Sequence, residues 1–574
     1  MKTLLSTILI TYISLNVAIS QSHFHNGIPC GYEHGIKSME NKFPGFKNAV
    51  ELSFKYAQIN SENTQHLRTT YTIPVIIHIV WKNPIENIDS ATIIEQINIL
   101  NQDYQKLNPD TSNLRNIFLS VSGNPQINFR LDSIIRIQTN EVFYSTGIIP
   151  DMSITDRVKQ DCFGGSAPFD TEKFLNIWIC NLGSSGILGF AYPPANLSNW
   201  PSGAEAPSKG LEGVVLDYRV VGASGSITQG NTTIITQGRT ATHEIGHYLG
   251  LRHIWGDGLL TFLGIPNCTD DDGISDTPNA GLNANFICDT LVNTCDTAQL
   301  GDLPDMIENF MDYASEDCMN TFTIGQSNLM RGLLGTGGTR NGLILNSNFI
   351  SPPNNDNISQ ANLLQVQTNN NCLNYTSAST VGANPSYLNG CGSASDHDIW
   401  FRFEAISSDI NLEITNVLTV SGMNSTLVYE LFEDDCQNLN SLLCGTGTDT
   451  TFSNLINGNT YLLRIYSNDS VASHNFDICL SSNPSVNIQN INDDNITIYP
   501  NPANETLRIK MPPFHKTTKI SIHNLWGVQV LHELIVPSNS IEFAIDTKKL
   551  PSGVYFLKIT RSNKDLYKKI KLIK

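Results

Sequence analysis

The chain has 574 residues, 40% of them apolar and 15% charged, with a formal net charge of −18. That length implies three or four domains of about 100–200 residues each, and the acidic balance argues against binding nucleic acid or an anionic surface through the bulk of the protein. It suits metal cations and cationic substrates, while 12 cysteines suit an oxidising compartment in which disulfides persist.

Met1-Lys-Thr-Leu-Leu-Ser-Thr-Ile-Leu-Ile opens a segment with one basic residue, an apolar stretch and the small-residue pattern Ala18-Ile-Ser20, so residues 1–20 read as a secretory signal peptide. No later run reaches about 18 consecutive apolar residues, and a protein that is not transmembrane is expected. Residues 21–68 precede the first convincing strand and read as a propeptide. From Pro74 a β-rich, alternating run begins; His78 within it is read as a hydrogen-bonded core residue rather than a ligand. Ser90 is expected to cap a helix that carries Ile93, Ile97, Leu100 and Tyr104 on one face, with strands following near 127–136, 174–181 and 213–218. Strands interleaved with helices predict an α/β fold.

The segment His243-Glu-Ile-Gly-His-Tyr-Leu-Gly-Leu-Arg-His253 carries the chemistry. Helical positions four apart share a face, so His243 and His247 can aim at one ion while Glu244 projects beside them. Gly250 permits a sharp turn that can bring His253 round as a third nitrogen ligand. Three protein ligands leave one tetrahedral position for water, the open arrangement of a catalytic zinc. Zinc lowers the pKa of that water, and Glu244 can take its proton as it attacks a carbonyl. Cys30, in Gly27-Ile-Pro-Cys-Gly-Tyr-Glu33, could occupy the open position as a thiolate and hold a precursor latent, or could form an ordinary disulfide. Under the first reading, processing near Leu67-Arg68 releases the enzyme.

The extended motif resembles the metzincin metallopeptidases, and Asn309-Phe-Met-Asp-Tyr313, 58 residues past His253, fits their Met-turn. The resemblance implies that Met311 is an apolar floor beneath the ligands and that Tyr313 hydrogen-bonds the tetrahedral intermediate. Within metzincins the chain is most similar to the pappalysin family over roughly residues 72–345, from Pro74-Val-Ile-Ile-His-Ile-Val80 through Phe174-Leu-Asn-Ile-Trp-Ile-Cys-Asn-Leu182 and Gly213-Val-Val-Leu-Asp-Tyr218. Four cysteines bracket the stretch between zinc helix and Met-turn, and sequence alone permits three pairings. The family implies Cys268 with Cys295 and Cys288 with Cys318. It also implies a calcium site at Asp270-Asp-Asp-Gly-Ile-Ser-Asp-Thr-Pro278, with Asp272 and Thr277 the best-matched ligands and Asp276 a third candidate; a solvated turn is the plain alternative. Relatives that cleave before Arg or Lys carry an aspartate five residues past the Met-turn methionine. Glu316 stands there, one methylene longer and followed by Asp317, and implies a basic preference at P1′.

Near Ser351-Pro-Pro-Asn-Asn-Asp356 the composition shifts and marks a linker. Short strands such as Asp398-Ile-Trp-Phe-Arg-Phe403 and Tyr461-Leu-Leu-Arg-Ile-Tyr466 then read as a β-sandwich, similar to the accessory domains of secreted bacterial peptidases, with Cys372–Cys391 and Cys436–Cys444 as local pairs. Cys162–Cys180 is a further expected pair, leaving Cys479 without an account. Tyr499-Pro-Asn-Pro-Ala503, Leu550-Pro-Ser-Gly-Val-Tyr-Phe556 and the basic end Lys568-Lys-Ile-Lys-Leu-Ile-Lys574 resemble the C-terminal sorting domain of the type IX secretion system. That likeness implies an address read by the secretion machinery and release from, or display on, the outer membrane of a gram-negative bacterium.

The expected architecture is an α/β metzincin catalytic domain at 69–350, with a twisted sheet, an active-site helix and an irregular lower subdomain. Two all-β sandwich domains follow, at 351–485 and 490–574. The expected function is that of a secreted, zinc-dependent endopeptidase, monomeric and made as a zymogen, acting on protein or peptide substrates. The competing class is a surface adhesin whose catalytic domain is inactive and whose sandwich binds; an intact Glu244 speaks against it, since pure binding needs no general base.

Overall fold

The computed structural model describes residues 69–574 apart from short internal stretches, the longest being 193–207, 483–495, 257–263 and 296–302. The segments read as signal peptide and propeptide, with Cys30 and Leu67-Arg68, lie outside the described residues. The chain divides into two compact units, 1–483 and 484–574.

The first unit is built on a five-stranded sheet. Its strands are β1 (Tyr71–Trp81), β2 (Ile127–Gln138), β3 (Leu175–Cys180), β4 (Gly189–Ala191) and β5 (Val214–Asp217), in the order β2-β1-β3-β5-β4. All neighbours are parallel except β4, which runs antiparallel to β5 at the edge. β1 is rich in Ile and Val and almost continuously buried, as a strand of a parallel sheet covered on both faces must be. His78 stands in it, fully buried, with Nδ1 against Ser166 Oγ (2.8 Å), Nε2 against Asn176 Oδ1 (3.0 Å) and its ring stacked on Trp178. Burial lowers its pKa to about 4, so it stays a neutral core residue.

Helix α1 (Ser90–Asp103) packs on β2 through Ile93, Ile97 and Leu100. Its cap is Asp89, whose carboxylate accepts the Thr92 N–H at 2.8 Å, and Ser90 is already the first helical residue. An acceptor one position upstream therefore does what the sequence assigned to Ser90. A hairpin, β6 (Gly225–Gln229) and β7 (Thr232–Thr236), leads into α2 (Arg239–Tyr248), and a further helix, α3 (Ile324–Leu334), closes the lower part. Between α2 and α3 the described chain is irregular and crossed by the disulfides Cys268–Cys295 and Cys288–Cys318.

The segment at 351–356 is no free linker. Asn355 and Asp356 are buried: Asn355 exchanges backbone and side-chain hydrogen bonds with Trp400, and Asp356 accepts from the amide and side chain of Asn384. The β-sandwich that follows has one sheet ordered Thr376–Ser379, Ser473–Ser481, Ile410–Ser421, Asp449–Phe452. The other is ordered Ser441–Thr446, Leu427–Glu433, Thr460–Ser467, Asp398–Glu404, Asn362–Leu363.

Its disulfides correct the local pairs drawn from the sequence. Cys162 joins Cys436 rather than Cys180, Cys372 joins Cys479 rather than Cys391, and Cys444 joins Cys391 rather than Cys436. Cys180, in the centre of β3, is buried and free. Antiparallel pairing and loop closure bring sequence-distant cysteines together, and proximity along the chain does not predict that. Cys162–Cys436 spans 274 residues and ties the sandwich to the catalytic part, next to an apolar cluster of Ile358, Trp400, Phe432 and Leu462. Tyr387 adds a polar anchor, its hydroxyl accepting the Thr171 N–H at 2.8 Å.

The second unit is a small all-β body. A three-stranded sheet (Thr497–Tyr499, Thr506–Lys510, Glu542–Asp546) and a four-stranded one (Gln529–Val536, Thr518–His523, Gly553–Arg561, Lys564–Leu572) enclose Leu507, Ile509, Ile520, Ile522, Leu557, Ile559 and Ile570. Among the described residues no helix is long and apolar enough to cross a membrane.

Candidate metal centre and peptide cleft

α2 places His243, Glu244 and His247 on its inner face, and all three are buried. The helix ends at Gly250, whose φ of +90° lies in the left-handed region, and the chain turns back to set His253 beside the other two. The three Nε2 atoms lie 3.1, 3.1 and 3.3 Å apart. His243 Nδ1 donates to Phe310 O (2.7 Å) and His247 Nδ1 to Leu251 O (2.9 Å). A carbonyl only accepts, so these two imidazoles carry their protons on Nδ1 and turn the Nε2 lone pairs towards the common point. Nitrogens bound tetrahedrally to zinc at about 2.0–2.1 Å lie roughly 3.3 Å apart, so the triad fits that ion. Burial, and then the charges of His253 and His243, hold His247 well below its ordinary pKa and keep it a neutral donor.

Met311 lies directly beneath. A Cβ at position 246 would collide with its sulfur, so the glycine inside the His-x-x-x-His segment is required by close packing. The turn carrying Met311 is locked to α3: Asn309 Oδ1 accepts the Met311 N–H (2.9 Å), while the Asn309 and Gln326 side-chain amides bond each other at 2.9 and 3.0 Å. Gln326 also completes a capping box with Thr323 at the start of α3. That Thr-x-x-Gln pattern was visible in the sequence and would have located α3. The Tyr313 ring stands 5.5 Å from His243, 4.9 Å from His253 and 4.8 Å from Trp255, and Trp255 stacks on His253.

A solvent-open cleft of about 350 Å³ of empty space runs beside the triad, lined by His243, Glu244, Tyr313, Leu188, Ile234, Phe286, Ala314, Met319, Arg239, Thr240, Asp312 and Glu316. β4 forms one side, so close that a Cβ on Gly189 would lie 2.8 Å from Glu244 Cγ.

The carboxylate of Glu316 reaches this cleft but is spent at the start of α2. It accepts from the backbone N–H groups of Gln237, Arg239 (3.0 Å) and Thr240 (2.7 Å), and from Thr240 Oγ1 (2.6 Å). Residue 238, the N-cap, is a glycine with no side chain to cap, so Glu316, 77 positions beyond Arg239, supplies that function. Burial raises its pKa even against these bonds. At the other end of α2, Arg340 donates from Nε to Tyr248 O (2.9 Å) and pairs with Glu212 (3.0 Å). The sequence reading missed both Arg340 and the capping role of Glu316, because neither lies near α2 in the chain. Arg239 is held by Asp110 at 2.6 Å. Asp312 accepts from Tyr313 N–H (2.7 Å) and Ala284 N–H (3.1 Å), both at Oδ1, and burial pushes its pKa up to about 7.

Residues 161–335 match the family model described as pregnancy-associated plasma protein-A. An extracellular metalloprotease of Arthroderma otae is 30% identical over 280 residues, which span 48% of this chain and 83% of the relative. The chain belongs to the pappalysin family of metalloproteases. An extracellular metalloprotease of Trichophyton verrucosum is likewise 30% identical, over 45% of this chain and 75% of its own. Among solved structures, mature mirolysin of Tannerella forsythia in complex with a cleaved peptide is 35% identical, covering 49% of this chain and 97% of its own with a TM-score of 0.41. Residues 354–480 match a galactose-binding-domain-like model and residues 497–574 a secretion-system C-terminal sorting domain. The protein is thus a metalloendopeptidase whose family implies a catalytic zinc, and its sorting domain indicates secretion.

Proposed function

We propose that His243, His247 and His253 hold the zinc and that Glu244 and Tyr313 carry the proton and charge chemistry of peptide hydrolysis. The observation that supports this most directly is the convergence of three Nε2 atoms beside Glu244 at an open cleft. Zinc, when bound, supplies Lewis acidity that brings the pKa of water towards neutrality. Glu244 takes the proton from the attacking water and returns it to the leaving amine. Tyr313 donates to the oxygen that becomes charged in the transition state. Met311 supports the ligands from below. β4 has a hydrogen-bonded neighbour on one side, β5, and its other edge can add an extended substrate as a further strand. The cleft lining contains two acids, Asp312 and Glu316, which supports a preference for Arg or Lys at P1′. Mass spectrometry of a proteome-derived peptide library digested by the mature enzyme should show Arg and Lys enriched immediately after the scissile bond; flat P1′ frequencies would remove the preference.

We also propose a calcium ion at Asp272, Asp276 and Thr277. Asp272 Oδ2, Asp276 Oδ1 and Thr277 Oγ1 are buried without a hydrogen-bond partner, a costly state for hard oxygens that a cation relieves. Burial, with Asp271 alongside, pushes the Asp272 carboxyl well above its ordinary range. Calcium at about 100 times its Kd should stabilise the zinc-loaded enzyme by about 2.7 kcal/mol, read as a rise in Tm, and Asp272→Asn should abolish the rise. A calcium response that survives in that variant would place the ion elsewhere.

A further inference from the structure

β4 lies between two charged side chains. On one face Gly189 stands against Glu244. Successive strand residues point to opposite faces, so Phe190 turns the other way, and there the Lys159 ammonium sits 4.7 Å from its ring centroid. Lys159 ends a short 3-10 turn (Asp156–Lys159) and is only 1% exposed. A lysine is almost never buried so fully unless its charge is held. Of its three donors, one goes to Leu211 O at 2.8 Å, one pairs with Asp156 Oδ1 at 3.2 Å, and the ammonium also lies 4.3 Å from the Tyr192 ring centroid. Burial drives this ammonium towards its neutral form, and the Asp156 carboxylate is the main group opposing that. Asp156 in turn accepts the Tyr192 hydroxyl on Oδ2 at 2.6 Å. The assembly thus grips β4 at Phe190 and at Tyr192, the residue just past its end, and through Leu211 it grips the turn leading into β5, the strand to which β4 is hydrogen-bonded. An apolar side chain of similar length would pack on the same rings without the cost of burying a charge. What the charged group adds is direction: each of its bonds fixes one piece of chain at one angle.

We propose that Lys159, with Asp156 and Tyr192, is the positioning assembly of the substrate-receiving edge, holding β4 so that its free edge and its contact with Glu244 keep a single geometry. This rests on the reading given above that β4 adds the substrate as a further strand. None of the three residues is a catalytic residue; they act through β4.

The test is steady-state hydrolysis of a short peptide and of a matched peptide several residues longer, cut at the same bond, by the wild type, Tyr192→Phe and Lys159→Met, with rates normalised to folded, zinc-loaded enzyme. In the wild type the longer peptide should have the lower KM, because added strand residues make main-chain hydrogen bonds to β4. In Tyr192→Phe that advantage should shrink by about fivefold, roughly the worth of one such bond, with kcat within about twofold and the KM of the short peptide unchanged. Lys159→Met should shrink it at least as far. Phenylalanine keeps the ring beside the ammonium and removes only the hydroxyl, so Tyr192→Phe decides alone should the methionine variant not fold. A length advantage that persists in folded Tyr192→Phe, or an equal loss on both peptides, would show that the assembly only stabilises the sheet, and overturns the proposal. A wild type that gains nothing from peptide length would instead remove the reading of β4 on which it rests.

Discussion

Glu244→Gln should lower kcat/KM for peptide hydrolysis by about 10²–10⁴-fold, the range a positioned general base contributes, while the purified variant still carries one equivalent of zinc. The two halves of this expectation have separate structural causes. The imidazoles of His243 and His247 are oriented by the carbonyls of Phe310 and Leu251, and the Met-turn beneath them is fixed by Asn309 and Gln326; none of these bonds involves Glu244. Glutamine has the same shape as glutamate, so the packing against β4 is preserved. It lacks only the basicity needed to take a proton from water. Fluorogenic-peptide kinetics combined with elemental analysis distinguish the outcomes. A variant that keeps zinc and cleaves within tenfold of wild type would mean that another group accepts the proton. A variant without zinc would mean that Glu244 helps to assemble the metal site.

The convergence of the three histidines was legible in the sequence because its geometry is local. Three of the four residues that matter share one helical face, and the fourth follows a single glycine turn, so spacing alone carries the arrangement. The sheet was legible for a similar reason: β1, β3 and β5 are short apolar runs with both faces covered, and the strands read at 127–136, 174–181 and 213–218 differ from β2, β3 and β5 by at most two residues, whereas β1 starts at Tyr71, three residues before Pro74. What the sequence did not disclose depends on long-range closure. Cys162–Cys436 and Cys372–Cys479 join residues 274 and 107 positions apart, and no periodicity announces them. The same holds for the docking of the sandwich, where a stretch rich in Asn and Pro resembled a linker although Asn355 and Asp356 are buried by Trp400 and Asn384. Turn-forming composition reports the backbone conformation of a segment, not whether another domain covers it.

Glu316 shows how such a closure reaches the chemistry. A helix begins with N–H groups that lack partners; that of Arg239 is buried and that of Thr240 half-buried, so the protein itself supplies their acceptor. Position 238 is glycine and cannot cap; the acceptor comes from the far side of the Met-turn loop. Glu316→Ala therefore strands three backbone donors and the Thr240 hydroxyl at once, and should cost about 3–5 kcal/mol of stability, measured as a lower urea midpoint at unchanged m-value. Glu316→Gln, which retains one acceptor oxygen, should lie between the two. Because His243 and Glu244 belong to the first two turns of α2, the Ala variant should also lose activity in proportion to the folded fraction and to any displacement of the helix. Residual activity per folded molecule separates those two contributions. A loss of less than about 1 kcal/mol would be typical of an exposed cap, and would show that Arg239, with its paired Asp110, holds the helix without help from Glu316.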